Sequence, residues 1–150
     1  MIRHIWSVLC SKAVVDRDSN NVSLFEVLEA VQITTGAALE FPANVPFDGT
    51  LVTLWAREQP NVPVTAEMRI RILGPADQDL GSFSATIGLQ NNPRFRNVAR
   101  MSGLRCGGSG VHQFEVSWRL NDTDTWHSVA SIPIELTFAV DPRVGGGAPQ

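Results

Sequence analysis

From Val64 to Ile72 every second residue is apolar: Val64, Ala66, Met68, Ile70 and Ile72 alternate with Thr65, Glu67, Arg69 and Arg71. A period of two places successive side chains on opposite faces, so this is a half-buried strand with a wet outer face and not a turn of helix. The same signal extends over most of the chain. Segments rich in Val, Ile, Leu, Thr, Phe and Trp are separated by clusters of Gly, Pro, Asn and Asp, the punctuation of strands joined by turns. No segment of helical period is long enough to argue for a mixed fold. Leu24 to Gln32 has some helix propensity, but its neighbours on both sides are β, and we read it as strand.

The expected strands run from Ile2 to about Val15 (apolar on both faces), Val22–Thr34, Thr50–Glu58, Val64–Ile72, Leu80–Leu89, Arg94–Leu104 (poorly patterned), Val111–Leu120 and Trp126–Val140. Pro133 cannot donate to a ladder, so the last of these should be at an edge or bulged there. These spacings predict an all-β fold, a two-sheet antiparallel β-sandwich of about eight strands. It should form a single domain over residues 1–140, followed by a flexible, Gly-rich tail at 141–150. A chain of 150 residues with 43% hydrophobic residues is neither disordered nor dependent on staples for stability. Its net charge of −3 argues against a general nucleic-acid binder.

Cys10 and Cys106 are too few for a disulfide framework. A bridge between them is one reading; two reduced thiols in the cytoplasm is the one we prefer. Met1 to Cys10 lacks the apolar length and small-residue cleavage site of a signal peptide. No run approaches the roughly 20 apolar residues of a membrane helix. Arg far outnumbers Lys and Tyr is absent, a codon bias that suggests a GC-rich bacterial genome.

Trp6-Ser-Val-Leu-Cys10, running into Ala13-Val-Val-Asp16 and then Asn20-Asn-Val-Ser-Leu-Phe25-Glu-Val, carries a resemblance, joined by Leu54-Trp55 and Val129-Ala-Ser-Ile-Pro133-Ile. Over residues 2–138 the chain resembles an uncharacterised family of small bacterial proteins grouped only as a domain of unknown function. The resemblance implies a bacterial, sandwich-like protein. It implies no activity and no catalytic residues.

The chemistry-bearing residues give little support for an enzyme. No P-loop, dinucleotide fingerprint or Gly-x-Ser-x-Gly elbow occurs, and the Cys and His spacings do not suit zinc. His112 shares the inward register of Phe114 and Trp118 and reads as a core histidine. His112 or His127 with Asp122 or Asp124 is the remote catalytic alternative.

Asp-x-Asp pairs in predicted turns suggest calcium more directly. Asp16, Asp18, Asp122 and Asp124 should lie at one end of an antiparallel sandwich, as in C2-like membrane-binding domains, while Asp and Asn are also simply what turns use. Arg94, Arg96, Arg100 and Arg105 cluster on one segment. If that segment neighbours Arg69 and Arg71, a basic patch forms for phosphate, nucleic acid or an acidic partner. The long loop Gly36–Gly49 carries Leu39, Phe41, Val45 and Phe47, stiffened by Pro42 and Pro46. It either caps the sandwich or presents Phe41 and Phe47 as aromatic anchors. The sequence therefore predicts a non-catalytic protein-binding or assembly module without a cofactor. Its partner is another protein or a second copy, met through Phe41, Phe47, Arg94, Arg96 and Arg100. The alternative is a calcium- or ligand-responsive sandwich acting at a membrane surface.

Overall fold

The computed structural model describes residues 1–144. Among the described residues the fold is all-β, with eleven strands: β1 (Ile2–Val15), β2 (Val22–Val27), β3 (Ala30–Thr35), β4 (Ala43–Val45), β5 (Gly49–Arg57), β6 (Val64–Leu73), β7 (Asp79–Leu89), β8 (Arg94–Met101), β9 (Leu104–Cys106), β10 (Gly110–Arg119) and β11 (His127–Val140). They form a four-stranded sheet in the order β2-β1-β5-β8, a five-stranded sheet in the order β3-β11-β10-β6-β7, and the two-stranded pair β4-β9. Among the described residues no helix is long and apolar enough to cross a membrane.

The inward positions of both larger sheets fill one core. Leu9, Leu51 and Trp55 come from the four-stranded sheet, and Met68, Ile70, Ile87, Phe114, Val116, Ile134 and Leu136 from the five-stranded one. The indole N–H of Trp55 is buried and donates to Thr53 Oγ1 at 2.9 Å, so this large ring enters the core with its polar atom satisfied.

The strand count and sheet count differ from the expectation. The single strand read over Val22–Thr34 is two strands in different sheets. Glu26 adopts φ 55°, a left-handed conformation that bends the chain. Leu28 N–H then bonds Leu9 O at 2.9 Å, and β3 crosses to pair with β11. That pairing is parallel, so the fold is not purely antiparallel. The segment Arg94–Leu104 likewise divides into β8 and the start of β9.

Pro133 behaves as the sequence suggests. Glu135 N–H points towards β3, donating to Glu29 O at 2.9 Å. Alternation puts the Pro133 nitrogen on that same side, beyond the stretch paired with β3, where its missing N–H leaves nothing unpaired.

The loop Gly36–Gly49 is a cap. Its β4 pairs with β9, Val45 and Phe47 are buried, and the Phe41 ring leans on Phe138 with centroids 4.9 Å apart. At the start of the expected tail, Asp141 N–H bonds Thr35 O at 2.8 Å. Residues 145–150 lie outside the described residues.

The β1–β2 hairpin matters most for the surface. β1 pairs with β5 from Ile2 to Cys10, and with β2 from Cys10 to Val15. Beyond Cys10 it leaves β5, and the hairpin swings across the outward side of β5 and β8. Ala13 comes to border Thr50 and Arg100, and the tip of the hairpin reaches Arg96.

Candidate functional site

The two larger sheets present very different outward faces. On the five-stranded sheet Arg71 and Arg119 are paired with acids of the same sheet. Arg119 Nε donates to Glu67 at 2.7 Å, and Arg71 lies 3.6 Å from Glu115 and 3.8 Å from Asp79. The guanidinium groups of Arg69 and Arg119 flank Trp126, each 4.3 Å from its ring centroid. Arg69 and Arg71 therefore do not join the other arginines. They belong to β6, in the opposite sheet from β8, and this part of the expected patch is corrected.

On the four-stranded sheet, β8 turns Phe95, Ala99 and Met101 towards the core, and by alternation Arg94, Arg96, Val98 and Arg100 lie on the outward face. Their neighbours on β5 are Ala56, Leu54, Val52 and Thr50, and Trp6 and Val8 of β1 follow. An apolar strip thus runs beside a row of arginines. Arg105 falls on β9, in the small pair.

The hairpin tip turns the edge of this strip into a cleft. Asp16 Oδ1 accepts from the N–H groups of Asp18 (2.9 Å) and Ser19 (2.7 Å), and Asn20 takes φ 61°, so the turn is tightly wound. These bonds hold the exposed Asp16 carboxyl below its ordinary pKa. The Asn20 carbonyl accepts from both Nη atoms of Arg96, at 2.9 and 2.8 Å, and Asn20 Oδ1 accepts at 3.1 Å. Trp6, Leu54, Arg94, Arg96, Asn20 and Asn21 line the resulting space of about 470 Å³. Its lining holds two guanidinium groups and no carboxylate. Among the described residues neither Arg94 nor Arg96 has a carboxylate within 4.0 Å. Arg100 stands further along, with Lys12 and Asp48 around a second opening, and is likewise without an ion pair.

The remaining expected residues are placed as follows. Phe47 is only 6% exposed and belongs to the core. Phe41 is 39% exposed but rests on Phe138. The aromatic residue held furthest out is Phe25, at 52%, with Val27 at 57% beside it on β2. Both share a face of the hairpin with Lys12 and Cys10, their register partners. The sequence does not single out Phe25, because alternation does not tell which face of β2 is covered, nor Trp6, because its role depends on where the hairpin lands.

Asp16, Asp18, Asp122 and Asp124 do not converge: among the described residues no group of three or more His, Cys, Asp or Glu side chains forms a metal cluster. Asp16 closes its own turn, and Asp124 Oδ2 accepts from Asn121 N–H at 3.2 Å in another.

His112 is fully buried. Its Nε2 accepts from Gly107 N–H at 3.0 Å, which leaves Nδ1–H to donate to Gly110 O at 3.3 Å. Burial lowers its pKa, so the ring is a neutral structural group. His127 packs its ring on Trp118, centroids 4.9 Å apart. Cys10 and Cys106 are free and buried. Burial raises both thiols, Cys106 to about 11, so neither is a thiolate at neutral pH. No protein-family model matches the chain, and no curated protein matches it.

Proposed function

We propose that this chain is a non-catalytic protein-binding module that docks an acidic partner on the outward side of its four-stranded sheet. The two larger sheets, facing each other across a shared core and closed at one end by β4–β9, serve as a sandwich-type scaffold. Two buried, protonated thiols suit a reducing compartment such as the cytoplasm.

One observation carries the reading. In a chain of net charge −3, the arginines of β8 have no carboxylate partner among the described residues, whereas Arg71 and Arg119 on the opposite face are paired with their own acids. Unpaired guanidinium groups beside Trp6 and Leu54, with the exposed Phe25 on the hairpin whose tip closes the cleft, combine the charge that steers an acidic surface with the apolar contact that retains it.

The test compares wild type with Arg94→Glu/Arg100→Glu. Both side chains are exposed, so the variant should fold. Partner retained from native lysate, identified and purified, should bind wild type in a salt-sensitive manner, and the variant about tenfold more weakly. Adding Phe25→Ser should weaken it further. Equal binding by wild type and variant would overturn the reading. So would binding of an oligonucleotide at low salt in place of any protein.

A further inference from the structure

The two larger sheets end laterally at β2, β8, β3 and β7. An open edge is a template for pairing with any extended chain, and folded proteins blunt it with charges, bulges or bends. β8 carries Arg94, Arg96 and Arg100. β7 is bulged between Asp79 and Ser82, with Gly81 at φ 123°. β2 bends at Glu26, where φ is 55°. β3 has none of these devices: Ala-Val-Gln-Ile-Thr-Thr is uncharged, regular, rich in β-branched residues and free of Pro and Gly.

The register with β11 fixes which of its main-chain groups are free. Glu135 N–H donates to Glu29 O at 2.9 Å, and Asp141 N–H to Thr35 O at 2.8 Å. In a parallel ladder that phase commits the N–H and C=O groups of Val31 and Ile33 to β11. The main-chain groups of Ala30, Gln32 and Thr34 point the other way. There they meet a groove of about 550 Å³, whose far wall is Pro46, Phe47 and Asp48. The lining includes the carboxylates of Glu26 and Asp48 and no Lys or Arg. Among the described residues neither carboxylate is in an ion pair.

We propose that β3 is a strand-addition site for an extended peptide segment of another protein, one that carries a basic side chain. The incoming segment pairs its main chain with Ala30, Gln32 and Thr34, as β-augmenting ligands do. Its alternate side chains lie over Leu28 and Phe47, and its cation faces Glu26 and Asp48. The far wall favours a single extended segment over the edge of a second copy's sheet. The groove shares Ser11 and Asp48 with the opening beside Arg100, but its pairing edge is β3 of the five-stranded sheet, so Gln32→Pro tests it without touching the arginines.

The probe is a displayed library of random linear peptides selected on the full chain, with enriched sequences then made synthetically. Enriched peptides should alternate apolar with polar residues and include Lys or Arg. Nuclear magnetic resonance cross-saturation should place them on the amides of Ala30, Gln32 and Thr34. Gln32→Pro removes an N–H that β11 does not use, so the fold should persist, while affinity falls about tenfold. Asp48→Lys should remove the preference for basic sequences. No enriched peptide would overturn the proposal, as would enriched peptides that saturate other amides or bind the folded Gln32→Pro variant equally. A dimer in sedimentation that Gln32→Pro dissolves would replace it with self-pairing.

Discussion

Replacing Phe47 with serine is expected to remove about 3–5 kcal/mol of folding free energy, the range for deleting a large buried aromatic side chain. Phe47 is 6% exposed, and its ring fills the space directly beneath Gly49. A Cβ on residue 49 would overlap that ring, so the glycine and the phenylalanine are fitted to one another. The serine variant loses the apolar burial, leaves a cavity and introduces a hydroxyl beside it. Against a total stability of about 5–15 kcal/mol for a domain, the loss leaves a marginal protein.

Phe41→Ser should cost about 1 kcal/mol, since that ring is 39% exposed and lies against Phe138 on one side. Urea denaturation of the two variants checks the contrast. A loss at Phe47 no larger than at Phe41 would contradict the capping role of the loop. Gly49→Ala should also destabilise, by about 1–3 kcal/mol, as an overpacked core does.

Acidification is expected to weaken the fold between pH 6.5 and the lowered folded-state pKa of His112. In the unfolded chain this ring titrates near 6.5. In the fold burial lowers it, and protonation would abolish the acceptor that receives Gly107 N–H. The sign follows from linkage. Above pH 6.5 both states hold the ring neutral, and its contribution is fully present. Below that, the unfolded state takes up a proton that the folded state refuses, so stability falls as pH falls.

One such group gives a slope of at most about 1.4 kcal/mol per pH unit. His4, lowered by burial and packed edge-on against Trp55 with centroids 5.1 Å apart, adds to the same window. The carboxyls of Asp16 and Asp141, lowered by their hydrogen bonds, act only in the more acidic range near and below 3.8. Denaturation curves at pH 7.5 and 5.5 measure the effect, and His112→Gln should flatten the slope. An unchanged midpoint between the two pH values would refute the assignment of a neutral, proton-refusing His112.

Much of the fold was readable from the chain because alternation is a local property. Val64–Ile72 is the strand its pattern announced, and Phe114, Val116 and Trp118 face the core with His112 as their register required. β1 is apolar on both faces for two reasons: Leu9 meets the core on one side, and on the other Trp6 borders Asn20 and Asn21 at the hairpin tip.

What stayed hidden depends on tertiary partners. A continuous β pattern over Val22–Thr34 conceals a change of sheet, since the left-handed turn at Glu26 uses a residue with no such preference. Strand order separated Arg69 and Arg71 from Arg94 and Arg96, and nothing in the spacing of arginines reveals which strands are neighbours. The apolar loop Gly36–Gly49 suits a cap or a docking surface by its sequence, and the burial of Phe47 beside Gly49 depends on contacts that the sequence does not display. The Trp6 cleft was unreadable because it forms only when Asn20 crosses to Arg96.

The parallel pairing of β3 with β11 also sets the order of events during synthesis. β3 ends at Thr35, and its ladder partner begins at His127. At about 5–20 residues per second, translation keeps these strands apart for seconds. Through that interval Ala-Val-Gln-Ile-Thr-Thr emerges from the ribosome with both edges unpaired, a short, uncharged, β-prone stretch of the kind that seeds association between nascent chains. The five-stranded sheet closes only after β11 has been made, so β3 waits through the synthesis of β4 to β10 for its partner.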